Sequence, residues 1–145
     1  MADKTGLSTL HVGDLVSSMA EASIITFTAG ADISKGDPVY LSGDNEVSPA
    51  TDAQDCIGIA IHDADAGDPV SVCVRGVVKV RAGGAIARGK AVYGADASRR
   101  VLELSDQPVN EGGADTYTIY YNRKLGTALC SADAADDLIL ILVGK

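Results

Sequence analysis

The chain has 145 residues, 46% of them apolar, enough for the core of one ordinary domain and too few for several. With no Trp, one Phe and five Tyr, that core must be filled by short aliphatic side chains, so self-assembly is expected to supplement its stability. A formal net charge of −8, from sixteen Asp and four Glu against twelve scattered Lys and Arg, argues against direct nucleic-acid binding, and the excess of Asp points to turns rather than helices.

Residues 1–22 read as an N-terminal arm. Met1-Ala2-Asp3-Lys4 lacks the basic-then-apolar pattern of a signal peptide. Asp14 to Glu21 suits one or two helical turns capped by Asp14, with Leu15, Val16 and Met19 on one face, ordered when the arm meets a partner. From residue 23 to 145 the pattern is that of one all-β domain. Short strands are expected at Ile24–Thr28, Pro38–Ser42, Glu46–Pro49, Cys56–His62, Val70–Val74, Val77–Arg81, Ala91–Gly94, Arg100–Leu104, Lys124–Cys130 and Leu138–Val143. Val70, Val72 and Val74 alternate with Ser71, Cys73 and Arg75, as in a half-buried strand. Leu138–Val143 is apolar at every position, so both its faces are expected to be covered, by the fold or by a subunit contact. It is also the longest strongly apolar stretch and too short to span a bilayer. A protein made in the cytoplasm and independent of membranes is the expectation.

The chain carries an internal duplication, 33–74 and 86–142. Ile33-Ser-Lys-Gly36-Asp-Pro-Val39-Tyr40 returns as Ile86-Ala-Arg-Gly89-Lys-Ala-Val92-Tyr93, and Ile57–Val74 aligns without gaps on Leu125–Leu142. The offset grows from 53 to 68 positions, so the second copy holds fifteen extra residues, expected within the polar stretch Ser105 to Asp115. Two copies are too few for a solenoid. Two related halves closing a compact β-sandwich or barrel is the expected architecture.

Candidate sites fall one by one. Gly84-Ala-Ile-Ala-Arg-Gly89-Lys90 has phosphate-loop spacing, but Ala91 replaces the magnesium-binding Ser or Thr and a strand follows instead of a helix. Asp63-Ala-Asp65-Ala-Gly67-Asp68 has the alternate carboxylates of a calcium loop but lacks its closing Glu. His62 has Cys130 as its counterpart, which does not suit a catalytic base, and no nucleophile–base motif occurs. Cys56, Cys73 and Cys130 are odd in number and lack a C-x-x-C pair, so neither a disulfide framework nor a zinc site is expected. No catalytic residue, cofactor or metal is assigned. The close-set Tyr117, Tyr120 and Tyr121, followed by Arg123, suit either a protein interface or the edge of an aromatic-poor core.

The order of motifs is what resembles a known family. Ile33-Ser-Lys-Gly-Asp-Pro-Val-Tyr40 is followed by Ile57-Gly-Ile-Ala60 and by Ala66-Gly-Asp-Pro-Val-Ser-Val-Cys-Val-Arg-Gly-Val-Val-Lys-Val80. Then come Ile86-Ala-Arg-Gly-Lys-Ala-Val-Tyr93, Leu125-Gly-Thr-Ala-Leu129 and Leu138-Ile-Leu-Ile-Leu-Val143. Over residues 24 to 143 this resembles the capsid cement (head decoration) proteins of tailed phages. The resemblance implies a β-rich homotrimer on the outer surface of the phage head, bound to the major capsid protein and bridging capsomers, with no catalytic residues. The interface residues expected on this reading are Leu138, Ile139, Leu140, Ile141 and Leu142, joined by Tyr117, Tyr120, Tyr121 and Arg123. The arm would add a strand to a capsid-protein sheet. The competing readings are another self-assembling virion surface protein, of spike or tail, and a calcium- or carbohydrate-binding β-module.

Overall fold

The computed structural model describes residues 2–17, 21–105, 107–111, 114–118 and 123–144, with the side chains of 107–118 left aside. No α-helix occurs among the described residues. Eleven strands follow in chain order: β1 Ser23–Ala29, β2 Pro38–Gly43, β3 Glu46–Pro49, β4 Cys56–Ala60, β5 Pro69–Arg81, β6 Ala91–Gly94, β7 Val101–Glu103, β8 Gln107–Glu111, β9 Ala114–Thr118, β10 Lys124–Ala128 and β11 Leu138–Val143.

Nine strands form one sheet in the order β1-β3-β2-β4-β5-β11-β10-β6-β7, and an added β1–β5 pairing closes the first five into a barrel. The remaining strands repeat the plan around the second half of β5. A parallel bridge from Ala82 to Val101 brings β7 back to the end of β5, matching the parallel pairing of Ala29 with Val47 between β1 and β3. Further cross-links recur in both halves: Ile33 bridges Ala64 as Ile86 bridges Ala132, and Gly36 N–H donates to Ala60 C=O as Gly89 N–H donates to Ala128 C=O. The second half thus repeats cross-links of the first, five-stranded barrel. Hairpin β8–β9 stands as its own two-stranded sheet and accounts for the extra residues of the second copy.

Besides that hairpin, whose two strands were not expected, the strand pattern departs from expectation in three places. Val70–Val74 and Val77–Arg81 are one 13-residue strand, β5, shared by both halves. It passes Gly76 at φ +143, where a Cβ would sit 2.9 Å from Ser17 Oγ and 3.1 Å from Ala22 Cβ, so glycine lets the strand run on where the sequence suggested a break. As a consequence, β1 is the counterpart of the second half of β5, and the duplication begins earlier than Ile33.

The ungapped match of the last strands also slips by one residue. Gly67 (φ +90) corresponds to Asp136 (φ +69), because Gly67 N–H donates to Ala29 C=O and Asp136 N–H to Ala82 C=O. The second turn is therefore one residue longer, and a one-residue shift turns every side chain of a strand to the other face. Ile139, Ile141 and Val143, not the leucines, are the counterparts of the inward Val70, Val72 and Val74 series. They lie in the core, while Leu138 and Leu140 are half-buried and Leu142 is 46% exposed. The expectation that both faces of this strand are covered holds for one face of the isolated chain.

The third departure is the arm. Asp14–Ser17 does not form helical turns; it runs extended along β5, with Leu15 bridged antiparallel to Val78. The open edge of β5 supplies ladder partners that outweigh a weak helix nucleus.

Two apolar clusters fill the interior. Ala29, Ile33, Val39, Val47, Ala60, Ala64, Val70 and Val72 occupy the first barrel. The larger cluster fills the second half and also takes in Cys56, Ile59 and Cys73 from β4 and β5, so the halves share a core. Cys56, Cys73 and Cys130 form no disulfide among the described residues, and the first two are fully buried. At the junction, Cys56 Sγ donates to Gly94 C=O at 3.3 Å, and Arg99 Nη1 reaches the buried Asp37 carboxylate at 2.7 Å.

Candidate assembly surface

The arm lies on its own chain, held by a lysine that the sequence reading did not single out. In β5, Val78 and Val80 point into the core, so alternation sends Lys79 outward, yet it is 1% exposed because the arm covers it. Its Nζ donates to Asp3 Oδ2 at 2.6 Å, Leu7 C=O at 3.0 Å and Leu10 C=O at 2.8 Å, which uses all three ammonium protons. The Lys79 ammonium, with lesser help from Thr5, holds the Asp3 carboxyl down at about 2. Lys79 in the run Val77-Val78-Lys79-Val80 was the available signal, but nothing in the sequence places Asp3 against it.

Main-chain bonds lay the rest of the arm in place. Gly13 N–H donates to Lys79 C=O at 2.7 Å, Lys79 N–H to Asp14 C=O at 3.2 Å, and Val16 N–H to Val77 C=O at 2.7 Å. Farther back, Lys4 N–H donates to Leu138 C=O and Lys4 Nζ pairs with Asp133 at 2.6 Å. Asp14 pairs with Lys35 of the first half; that ion pair, with the His11 N–H, lowers the Asp14 pKa. The arm is thereby tied to both halves.

Beside it lies the outward row of β11. Leu142 pairs across the sheet with Val77 and Thr127, and Leu129 N–H donates to Leu140 C=O, which places Leu129 (41% exposed) next to that row. In the first half the counterparts of Leu138, Leu140 and Leu142 are Pro69, Ser71 and Cys73. The apolar outward row is therefore a property of one half only. Of the expected interface residues, Leu138, Leu140 and Leu142 line this surface, whereas Ile139 and Ile141 are fully buried in the core and cannot touch a partner.

The aromatic cluster is only partly visible. Tyr117 lies in β9, its side chain outside the described set, and Tyr120 and Tyr121 lie outside the described residues. Arg123 sits apart from the leucine row, lining an open cleft with Tyr40, Leu41, Gln54, Asp55 and Ile57.

The remaining candidates have structural roles. Gly84–Lys90 is a bridge and turn with Ile86 in the core and Gly89 at φ +87. The Asp-rich turns spend carboxylates on backbone amides: Asp63 accepts from Lys35 N–H, and Asp137 from Asp133 and Ala134 N–H, which lowers the Asp137 pKa. Among the described residues no three His, Cys, Asp or Glu side chains converge to hold a metal. His62 is hydrogen-bonded at both nitrogens, Nε2 accepting from Ser71 N–H at 2.9 Å and Nδ1–H donating to Asp63 C=O at 2.8 Å. What remains is a non-covalent surface built of strand edges and aliphatic side chains.

Comparison with known proteins agrees with that character. No curated protein matches the chain. Among solved structures, the crystal structure of the head fiber gp8.5 N base of bacteriophage phi29 has a similar fold, with a TM-score of 0.54 at 17% identity over 84% of this chain and 93% of that one. The model of the phage cement protein family matches residues 18–143, which spans both β halves and leaves out only residues 1–17 and the last two. This near-complete match makes the chain a member of the phage cement protein family, a structural protein of the phage head.

Proposed function

We propose that the chain is a trimeric cement protein that binds the outer surface of the head through the major capsid protein, bridges neighbouring capsomers and performs no catalysis. The family match over residues 18–143 carries this reading. Three properties support it. The outward row Leu138, Leu140 and Leu142 with Leu129 supplies a one-sided apolar surface suited to contact between copies. A net charge of −8 keeps densely displayed copies apart in solution. A trimer set over several subunits would combine modest contacts through effective concentration, which suits a surface with no deep pocket chemistry.

Two measurements test it. Light scattering on a sizing column is expected to give the mass of three chains. The purified protein is expected to bind decoration-free heads saturably and to raise the temperature at which filled heads release their DNA. A monomer that leaves heads unbound overturns the proposal. The likeness to a head fiber base favours a second reading, a pedestal for a longer appendage. A pedestal would bind heads without changing the temperature of DNA release.

A further inference from the structure

The duplication leaves an edge open in one half that is filled in the other. β1 is the counterpart of the second half of β5, so Thr26 corresponds to Lys79 and Ile25 to Val78. At Lys79, the N–H donates to Asp14 C=O at 3.2 Å and the C=O accepts from Gly13 N–H at 2.7 Å; the arm is an added antiparallel strand there. At Thr26 the same groups face the same kind of edge. Thr26 lies opposite Ser71, and the neighbouring Thr28 and Gly30 N–H groups turn away from β5, to Asn45 C=O and Val47 C=O. Alternation turns Thr26 the same way. Strand β3 pairs with β1 only at Thr28 and Ala29, so among the described strands Thr26 is paired on its β5 side alone. Ile25 is 47% exposed where its counterpart Val78 is fully buried.

We infer that the free edge of β1 around Thr26 accepts an extended segment of the head shell protein as an added antiparallel strand. Counting selects the occupant. Each copy has two equivalent edges and one arm, so exchanging arms among copies, in any pattern, leaves one edge per copy unfilled. Arm exchange between copies therefore cannot fill it, and we commit to a segment of a different protein; that this is the shell protein rests on the head-surface reading above. It should be extended, place an aliphatic side chain beside Ile25, and not be acidic, given the charge of −8.

Thr26→Pro tests this directly. It removes the outward N–H, breaks no β1–β5 bond and sits where an edge strand tolerates proline. With melting temperature and solution mass unchanged, its affinity for decoration-free heads is expected to fall about tenfold or more. In parallel, hydrogen exchange of residues 21–29 in the wild-type chain is expected to slow on binding heads. Heads bound with unchanged exchange in this segment would overturn the inference while the head-surface reading stands. Slow exchange in the free protein that rises with its concentration would also overturn it, by showing that a second copy fills the edge. Failure of the wild-type chain to bind heads would overturn both.

Discussion

At the scale of single residues, Lys79 is the position where sequence and structure differ most in meaning. A lysine inside a valine strand reads as a solvated charge on the outer face. The fold instead closes the arm over it, and burial is tolerable only because three oxygens receive its three protons. Asp3 supplies the charge, and its pKa falls from 3.8 to about 2. A depressed carboxylate pKa contributes stability that is fully present above the unfolded value and lost as the pH falls through the folded one. The arm is therefore expected to loosen between about pH 4 and pH 2, followed as faster exchange of the amides of Gly13, Val16 and Lys79. Asp3→Asn should loosen it already at pH 7, with faster proteolysis in residues 2–17 and an unchanged β spectrum. Equal cleavage of both proteins would mean that the main-chain bonds alone hold the arm.

The behaviour of β11 belongs to the scale of the element. Its ends, Leu138 and Val143, were legible because six apolar residues lie between a turn and a glycine. Its facing was not, because an all-apolar strand carries no alternation to read. Matching it to Val70–Val74 without a gap set the leucines opposite the valines, and a single extra residue in the turn before it moves that match to the isoleucines. The shift gives opposite expectations for neighbouring residues. Ile141→Ala empties a fully buried site and should cost about 2–5 kcal/mol in a denaturant titration. Leu142→Glu changes an exposed site and should leave that titration within about 0.5 kcal/mol while lowering the solution mass toward that of one chain. A trimer that persists in Leu142→Glu would move the contact elsewhere, the Arg123 cleft being the next surface to test.

For the whole molecule, the duplication was the most legible feature, since Gly36 and Gly89 mark the same turn and Ile33 and Ile86 the same bridge. What the repeat did not reveal is that one strand serves both halves, because Arg75-Gly76 reads as a boundary. That sharing bears on whether a half is a folding unit. The first barrel alone holds eight small buried side chains, from Ala29 to Val72. Cys56, Ile59 and Cys73, also on its strands, belong to the cluster that fills the second half. A fragment of residues 23–75 would leave those three apolar groups facing water and Asp37 without Arg99. Such a short chain buries too little surface to offset its conformational entropy. It is expected to show no cooperative thermal transition, where the intact chain shows a single one. A sharp transition in the fragment would mean that the first barrel is an independent unit and that the shared strand came after it, a fusion of two finished domains and not one core closed twice.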